Sequence, residues 1–186
     1  MLKIVTAPNS VLSQKAQPVK KIDKNVLDLV EEMKATLLGT KDPVGVGLAA
    51  PQVGHSLRIF LAKPTPKSEI MVCVNPKILS RSEELKPLKR PKNSSNKRAG
   101  TLEGCLSLPT IWGTVLRSSS LTFSYTDGQD KTHKRSCKDF LATIVQHEID
   151  HLDGVLFPKR VLEQKGKLYK SRKNEKGEEE FEEIEI

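Results

Sequence analysis

The sequence predicts antiparallel β-hairpins packed with two helices, one of them buried, and three observations carry that reading. Residues 23–39 repeat apolar side chains at helical spacing. Several short runs between residues 58 and 135 alternate or cluster apolar residues between turn signals. A second helical stretch that stops at Gly154 is apolar around most of its circumference. In the first helix Val26, Leu29, Val30, Met33 and Leu37 form one face, Asp23 supplies an N-cap and Gly39 a stop, so the element is an amphipathic surface helix. The strand candidates are 58–62, 70–74, 114–116 and 121–125, the last turning at Asp127-Gly128 toward 131–135. Ser136 with Asp139 resembles a capping box, which would open the second helix early enough to place Cys137 on it. Phe140, Leu141, Ile144, Val145, Ile149 and Leu152 then make that helix one to be buried against the strands.

Composition sets the outer limits. The chain has 186 residues, 37% apolar, 29% charged and only 4% aromatic, which fits one globular unit with a polar excess. No apolar run approaches the roughly 20 residues that span a bilayer, and the first residues lack a secretory or transit pattern, so a cytoplasmic location is expected and no membrane partner. Cys73, Cys105 and Cys137 form neither a disulfide framework nor a zinc knuckle. A net charge of +8 permits a ribosome contact but says nothing of chemistry. Residues 81–100 are basic, broken by Pro87 and Pro91 and poor in apolar side chains, and read as a mobile surface loop. From about residue 159 a basic stretch gives way to an acidic one, so the reading is a single domain over 1–160 followed by a charged, solvated tail over 161–186 whose halves can neutralise each other.

The chemistry is concentrated in His147-Glu148-Ile149-Asp150-His151. Histidines four apart stand on one face of a helix, so both imidazoles can reach one ion while Glu148 points beside it. A catalytic metal usually takes three protein ligands, which leaves a third to be found. The extended protease motif fails here: Gly154 fits its glycine, but its last ligand position is Phe157. The other candidates are Cys73, Cys105, Cys137, His55, His133, Glu103 and Asp153. Cys137 lies nearly three helical turns from His147 on the expected helix, and Cys73 sits in an apolar run. His55 follows Gly54 in a turn and His133 lies in a polar hairpin, whereas Cys105 follows Gly104, which admits a close backbone approach. Upstream, Gly45-Val46-Gly47-Leu48-Ala49-Ala50-Pro51-Gln52 reads by itself as tight packing.

Taken in order, GVGLAAPQ, EGCLS and QHEIDH strongly resemble the peptide deformylase family over residues 4–158. That resemblance implies an α+β fold in which antiparallel β-sheets wrap a central helix carrying the His-Glu-x-x-His motif. It implies hydrolysis of the formyl group of N-formylmethionine at the start of nascent polypeptides, with formate released. Carried over, the metal ligands are Cys105, His147 and His151, and the ion is Fe2+ in most of the family, with Zn2+, Ni2+ or Co2+ also suited to a thiolate. Glu148 becomes the general base, and Gln52 with the backbone N–H of Leu106 the donors to the developing oxyanion. Gly47 pairs with the substrate backbone, Val46, Leu106 and Ile144 line the methionine pocket, and Arg117 pairs with Glu103. Trp112-Gly113, the basic segment 81–100 and the acidic end depart from the common pattern. Two other classes compete: a metallopeptidase, which lacks its downstream ligand, and a basic RNA-binding module with a structural zinc, which would have no use for Glu148 and too few aromatic residues to stack bases.

Overall fold

A computed structural model describes residues 1–41, 44–91, 99–175 and 179–185. Eleven strands and three α-helices are described: α1 (Lys24–Gly39), β1 (Gly47–Ala49), β2 (Ile59–Ala62), β3 (Met71–Arg81), β4 (Leu85–Lys86), β5 (Glu103–Cys105), β6 (Leu108–Gly113), β7 (Arg117–Ser118), β8 (Ser120–Thr126), β9 (Thr132–Lys138), α2 (Asp139–Leu152), α3 (Phe157–Glu163), β10 (Leu168–Lys173) and β11 (Glu179–Ile184). A five-stranded sheet runs β1-β2-β3-β8-β9, a four-stranded one β11-β10-β6-β5, and β4 pairs with β7; every pairing is antiparallel. This is the α+β architecture expected.

The five-stranded sheet is covered on both faces, and its sequence shows why. Along β2 the side chains alternate: Ile59 and Leu61 join the core beneath α1, with Leu29, Val30, Met33 and Leu37, while Phe60 and Ala62 join the core beneath α2, with Ile144, Val145 and Leu152. An apolar run without polar alternation is what a strand buried on both faces requires. Helix α1 starts where Asp23 accepts from the Val26 N–H. Helix α2 stops at Leu152, two residues before Gly154, whose φ of 71° and contact with the Ser13 backbone leave no place for a side chain. A third core packs α3, through Phe157 and Val161, against Cys105, Val115 and Leu168.

Four expectations are corrected. Helix α2 begins at Asp139 with no side-chain cap, because Cys137 and Lys138 pair with Leu121 and Ser120 in the β8–β9 ladder; Cys137 is therefore on a strand, and Ser136 hydrogen-bonds Thr122 across it. Residues 114–116 are not a strand; β6 and β7 flank them. The segment 81–100 is not merely a surface loop: β4 docks on β7, Leu88 and Ala99 are buried, and Arg90 donates to the carbonyls of Gly100 and Leu102. The remainder of that expected loop, 92–98, lies outside the described residues. Nor do the described residues of the expected tail, 161–175 and 179–185, hang free; 176–178 and 186 lie outside the described residues. Val161 is fully buried, and β10 and β11 form a hairpin that extends the second sheet through β6, its strands crossed by Lys167–Glu183 and Arg172–Glu182 pairs.

Candidate metal centre

Helix α2 carries His147, Glu148 and His151 to a cleft whose two sides are sheet edges. Strand β1 is the edge of the five-stranded sheet and β5 the edge of the other, so Gly47 and Cys105 face the space between them. The ligand atoms of Cys105, His147 and His151 lie within 4.8 Å of one another, the only such group of metal-ligating side chains among the described residues. Cys105 Sγ is 3.1 Å from His151 Nε2. His151 is 1% exposed, and burial together with its neighbour His147 holds its pKa well below the usual range, so it is the neutral imidazole that a metal needs.

Behind these atoms lies a chain of buried charges. Glu103 accepts from Arg117 Nε at 2.7 Å and Nη2 at 3.0 Å, and its Oε2 lies 3.1 Å from His147 Nδ1. Arg117 also donates to Asp150 at 2.9 Å, and Asp150 in turn accepts from Arg160 of α3 at 2.8 Å. Burial would raise the Glu103 carboxyl, but Arg117 and His147 outweigh it and hold the pKa at about 2. Glu103 thus fixes the tautomer and rotation of His147 instead of serving as a ligand itself. Of the sequence candidates for that role, Cys73 and Cys137 pack in the core under α2, and His133 on β9 pairs with Asp127 of the preceding turn at 2.6 Å.

Glu148 is 4% exposed; burial lifts its pKa to about 7 against the opposing pull of His147 and Arg117. Its Oε2 is buried with no hydrogen-bond partner, as is His151 Nδ1. A donor set of one thiolate sulfur and two imidazoles, with an unpartnered carboxylate oxygen at its rim, fits a divalent ion and a water beside it. Gly47 is required by this arrangement, because a Cβ there would run into the Glu148 carboxylate. Gln52 is 2% exposed and its amide is oriented: Oε1 accepts from the Ala49 N–H at 2.8 Å, which turns Nε2 toward Cys105 Sγ at 3.5 Å and Ser107 Oγ at 3.3 Å. Leu106, Val46 and Ile144 line the same cleft, so each sequence-selected site residue but His151 opens onto it, and His151 stands directly behind. Leu88, Arg90, Trp112, Phe140 and Thr143 also line it, and the sequence reading missed them. Only helical spacing could have found two of these, since Phe140 and Thr143 lie two turns and one turn, respectively, before His147 on its face.

A Cys/His/His donor set beside a buried carboxylate, set under a cleft between two open sheet edges, defines a metal-dependent hydrolase. The model of the polypeptide deformylase family matches residues 1–167, and the chain belongs to that family, whose members remove the N-formyl group from nascent polypeptides. A peptide deformylase of Chlorobaculum parvum is 38% identical over 166 residues, 87% of this chain and 80% of the relative. One from Borreliella burgdorferi is 34% identical over 177 residues, 95% of this chain and 98% of its own. The crystal structure of the Thermotoga maritima peptide deformylase aligns with a TM-score of 0.74 at 32% identity, covering 86% of this chain and 97% of that one.

Proposed function

We propose that the chain hydrolyses the formyl amide of N-formylmethionyl polypeptides with Cys105, His147 and His151 as metal ligands and Glu148 as the proton-transfer group. The observation that carries this reading is the unpartnered Glu148 Oε2 at the rim of the Cys105–His147–His151 cluster. When bound, the ion supplies a Lewis acid that makes water a nucleophile near neutral pH. Glu148, with its pKa near 7, accepts the proton of the attacking water and returns it to the amine nitrogen as the C–N bond breaks, so that formate and a free amino terminus leave. As the formyl carbon becomes tetrahedral, Gln52 Nε2 and the Leu106 N–H donate to its oxygen; the Ala49 hydrogen bond supports this by holding the Gln52 amide in the donating orientation. The open edge at Gly47 offers main-chain groups to the substrate backbone, and Val46 and Ile144 offer apolar walls to the methionine side chain. A thiolate with two imidazoles suits Fe2+, and Zn2+, Ni2+ and Co2+ as well; Fe2+ is the ion we assign.

No helix among the described residues is long and apolar enough to cross a membrane, and a net charge of +8 favours encounter with anionic ribosomal RNA, so work on nascent chains in the cytoplasm is proposed. Formate release from a formyl-Met-Ala-Ser peptide, with acetyl-Met-Ala-Ser as control, tests the reaction. Release from the formyl peptide alone is expected, and cleavage of an internal peptide bond instead would replace this reading with a peptidase.

A further inference from the structure

Trp112 is the one tryptophan in the chain. It is 5% exposed and lines the cleft, and nothing in the chemistry above uses it. In its sheet it is paired on one side with Gly104, the residue before Cys105, and on the other with Tyr169 of β10. The indole lies over Gly104 so closely that a Cβ there would sit 2.7 Å from its ring carbons. Its Nε1–H donates to the buried Ser171 Oγ of β10 at 3.1 Å, and Phe181 of β11 meets it edge to face at 5.7 Å between centroids. The guanidinium of Arg90 stands 6.0 Å from the ring centre. The indole is therefore clamped between the ligand-bearing strand and a hairpin that begins at Leu168, beyond the residues matched by the family model.

We propose that the C-terminal hairpin is a positioning element of the active-site cleft: through Ser171 and Phe181 it holds Trp112 as a wall against which the peptide substrate packs. An indole has only two side-chain torsions, and its own ladder strand fixes the backbone, so a hydrogen bond at Nε1 and an aromatic edge contact suffice to select one rotamer. A wall held in place before substrate arrives lowers the ordering cost of binding; it contributes to affinity and leaves the proton transfer at Glu148 untouched. The hairpin is thus tied to KM and not to kcat. The inference rests on the deformylase reading for its substrate.

The test uses the full metal-loaded chain and three variants, Phe181→Ala, Ser171→Ala and Phe181→Tyr, with formyl-Met-Ala-Ser as substrate and Trp112 as the sole tryptophan fluorophore. Phe181→Ala is expected to raise KM roughly 3- to 10-fold, the loss of one aromatic pair, with kcat within about twofold and metal content unchanged. Its tryptophan emission should move to longer wavelength, and Phe181→Tyr should restore both values. Ser171→Ala, which removes a single hydroxyl from a folded hairpin, should give a smaller change of the same kind. Emission unchanged in Phe181→Ala would show that the hairpin does not hold the indole, and emission shifted with KM unaltered would show that the indole is no part of the binding wall; either result overturns the proposal. Loss of metal, or kcat falling as much as kcat/KM, would overturn it in favour of a purely structural hairpin. Absence of formate release from the unsubstituted protein would instead strike the deformylase reading itself.

Discussion

Replacing Glu103 by glutamine removes one negative charge from the most buried ion pair among the described residues and leaves the shape almost unchanged. The carboxylate, 3% exposed, accepts two hydrogen bonds from Arg117 and faces His147 Nδ1 with its second oxygen. Glutamine can accept with only one of its two terminal atoms, so Arg117 keeps Asp150 but loses its bidentate partner. Two routes give the size of the effect. Breaking a buried pair by neutralising one partner costs about 3 to 5 kcal/mol. Independently, a carboxyl held at about 2 instead of 4.5 contributes about 3 kcal/mol at neutral pH. Because the folded-state pKa is the lower one, that stabilisation is complete above pH 5 or so and is lost as the pH falls from about 4.5 toward 2. Urea unfolding of chelator-treated protein at two pH values is the assay. Glu103→Gln should be about 3 kcal/mol less stable than the parent at pH 7, and the gap should shrink to about 1 kcal/mol at pH 3. The variant should also bind its ion roughly 10- to 100-fold more weakly, as His147 loses its orienting acceptor. A gap of the same size at both pH values, or no gap at pH 7, would refute the electrostatic account of this residue.

Gly47→Ala should fold but lose most formate release, because the new methyl displaces the Glu148 carboxylate; activity near that of the parent would mean that Glu148 can work from another rotamer. Gln52→Leu should lower kcat roughly 10²- to 10³-fold with the ion retained, the loss of one oxyanion donor, and an unchanged kcat would remove Gln52 from the mechanism. Cys105→Ala should lose the ion, whereas Cys73→Ala and Cys137→Ala, which alter core side chains under α2, should keep it; metal analysis of the three purified variants decides this.

What the sequence made legible is tied to short-range geometry. Two histidines one helical turn apart, a carboxylate between them and a buried helix around them follow from the 3.6-residue period alone, as does the face of α1 with its Asp23 cap. The third ligand does not follow, since Cys105 reaches the cluster from the edge of a sheet, and pairing across 42 residues leaves no mark in spacing; Gly104 set Cys105 apart from the other candidates, and the family resemblance made it the ligand. The start of α2 was misplaced because the β8–β9 ladder claims Ser136 and Cys137, a tertiary demand that overrides a local capping pattern. Composition also hid the hairpin at the chain end. More than half of its strand residues are charged, and Leu168, Phe181 and Ile184 are few apolar residues for a strand pair, but the docking on β6 and the packing of Phe181 on Trp112 supply most of what an apolar face usually does, with exposed cross-strand ion pairs adding a little. Segment 81–100 misled in the same way: Leu88 is one leucine among charges, yet it is 4% exposed and beside the cleft.

The central claim, that Glu148 moves the proton beside an ion held by three other side chains, is tested most directly by single-turnover formate release from formyl-Met-Ala-Ser by Glu148→Ala whose metal content has been measured on the same sample. The account predicts one ion per chain and release slowed by roughly 10² to 10⁴. Release near the parental rate from a variant with its ion in place would contradict it, as would loss of the ion on removing a carboxylate that is not a ligand.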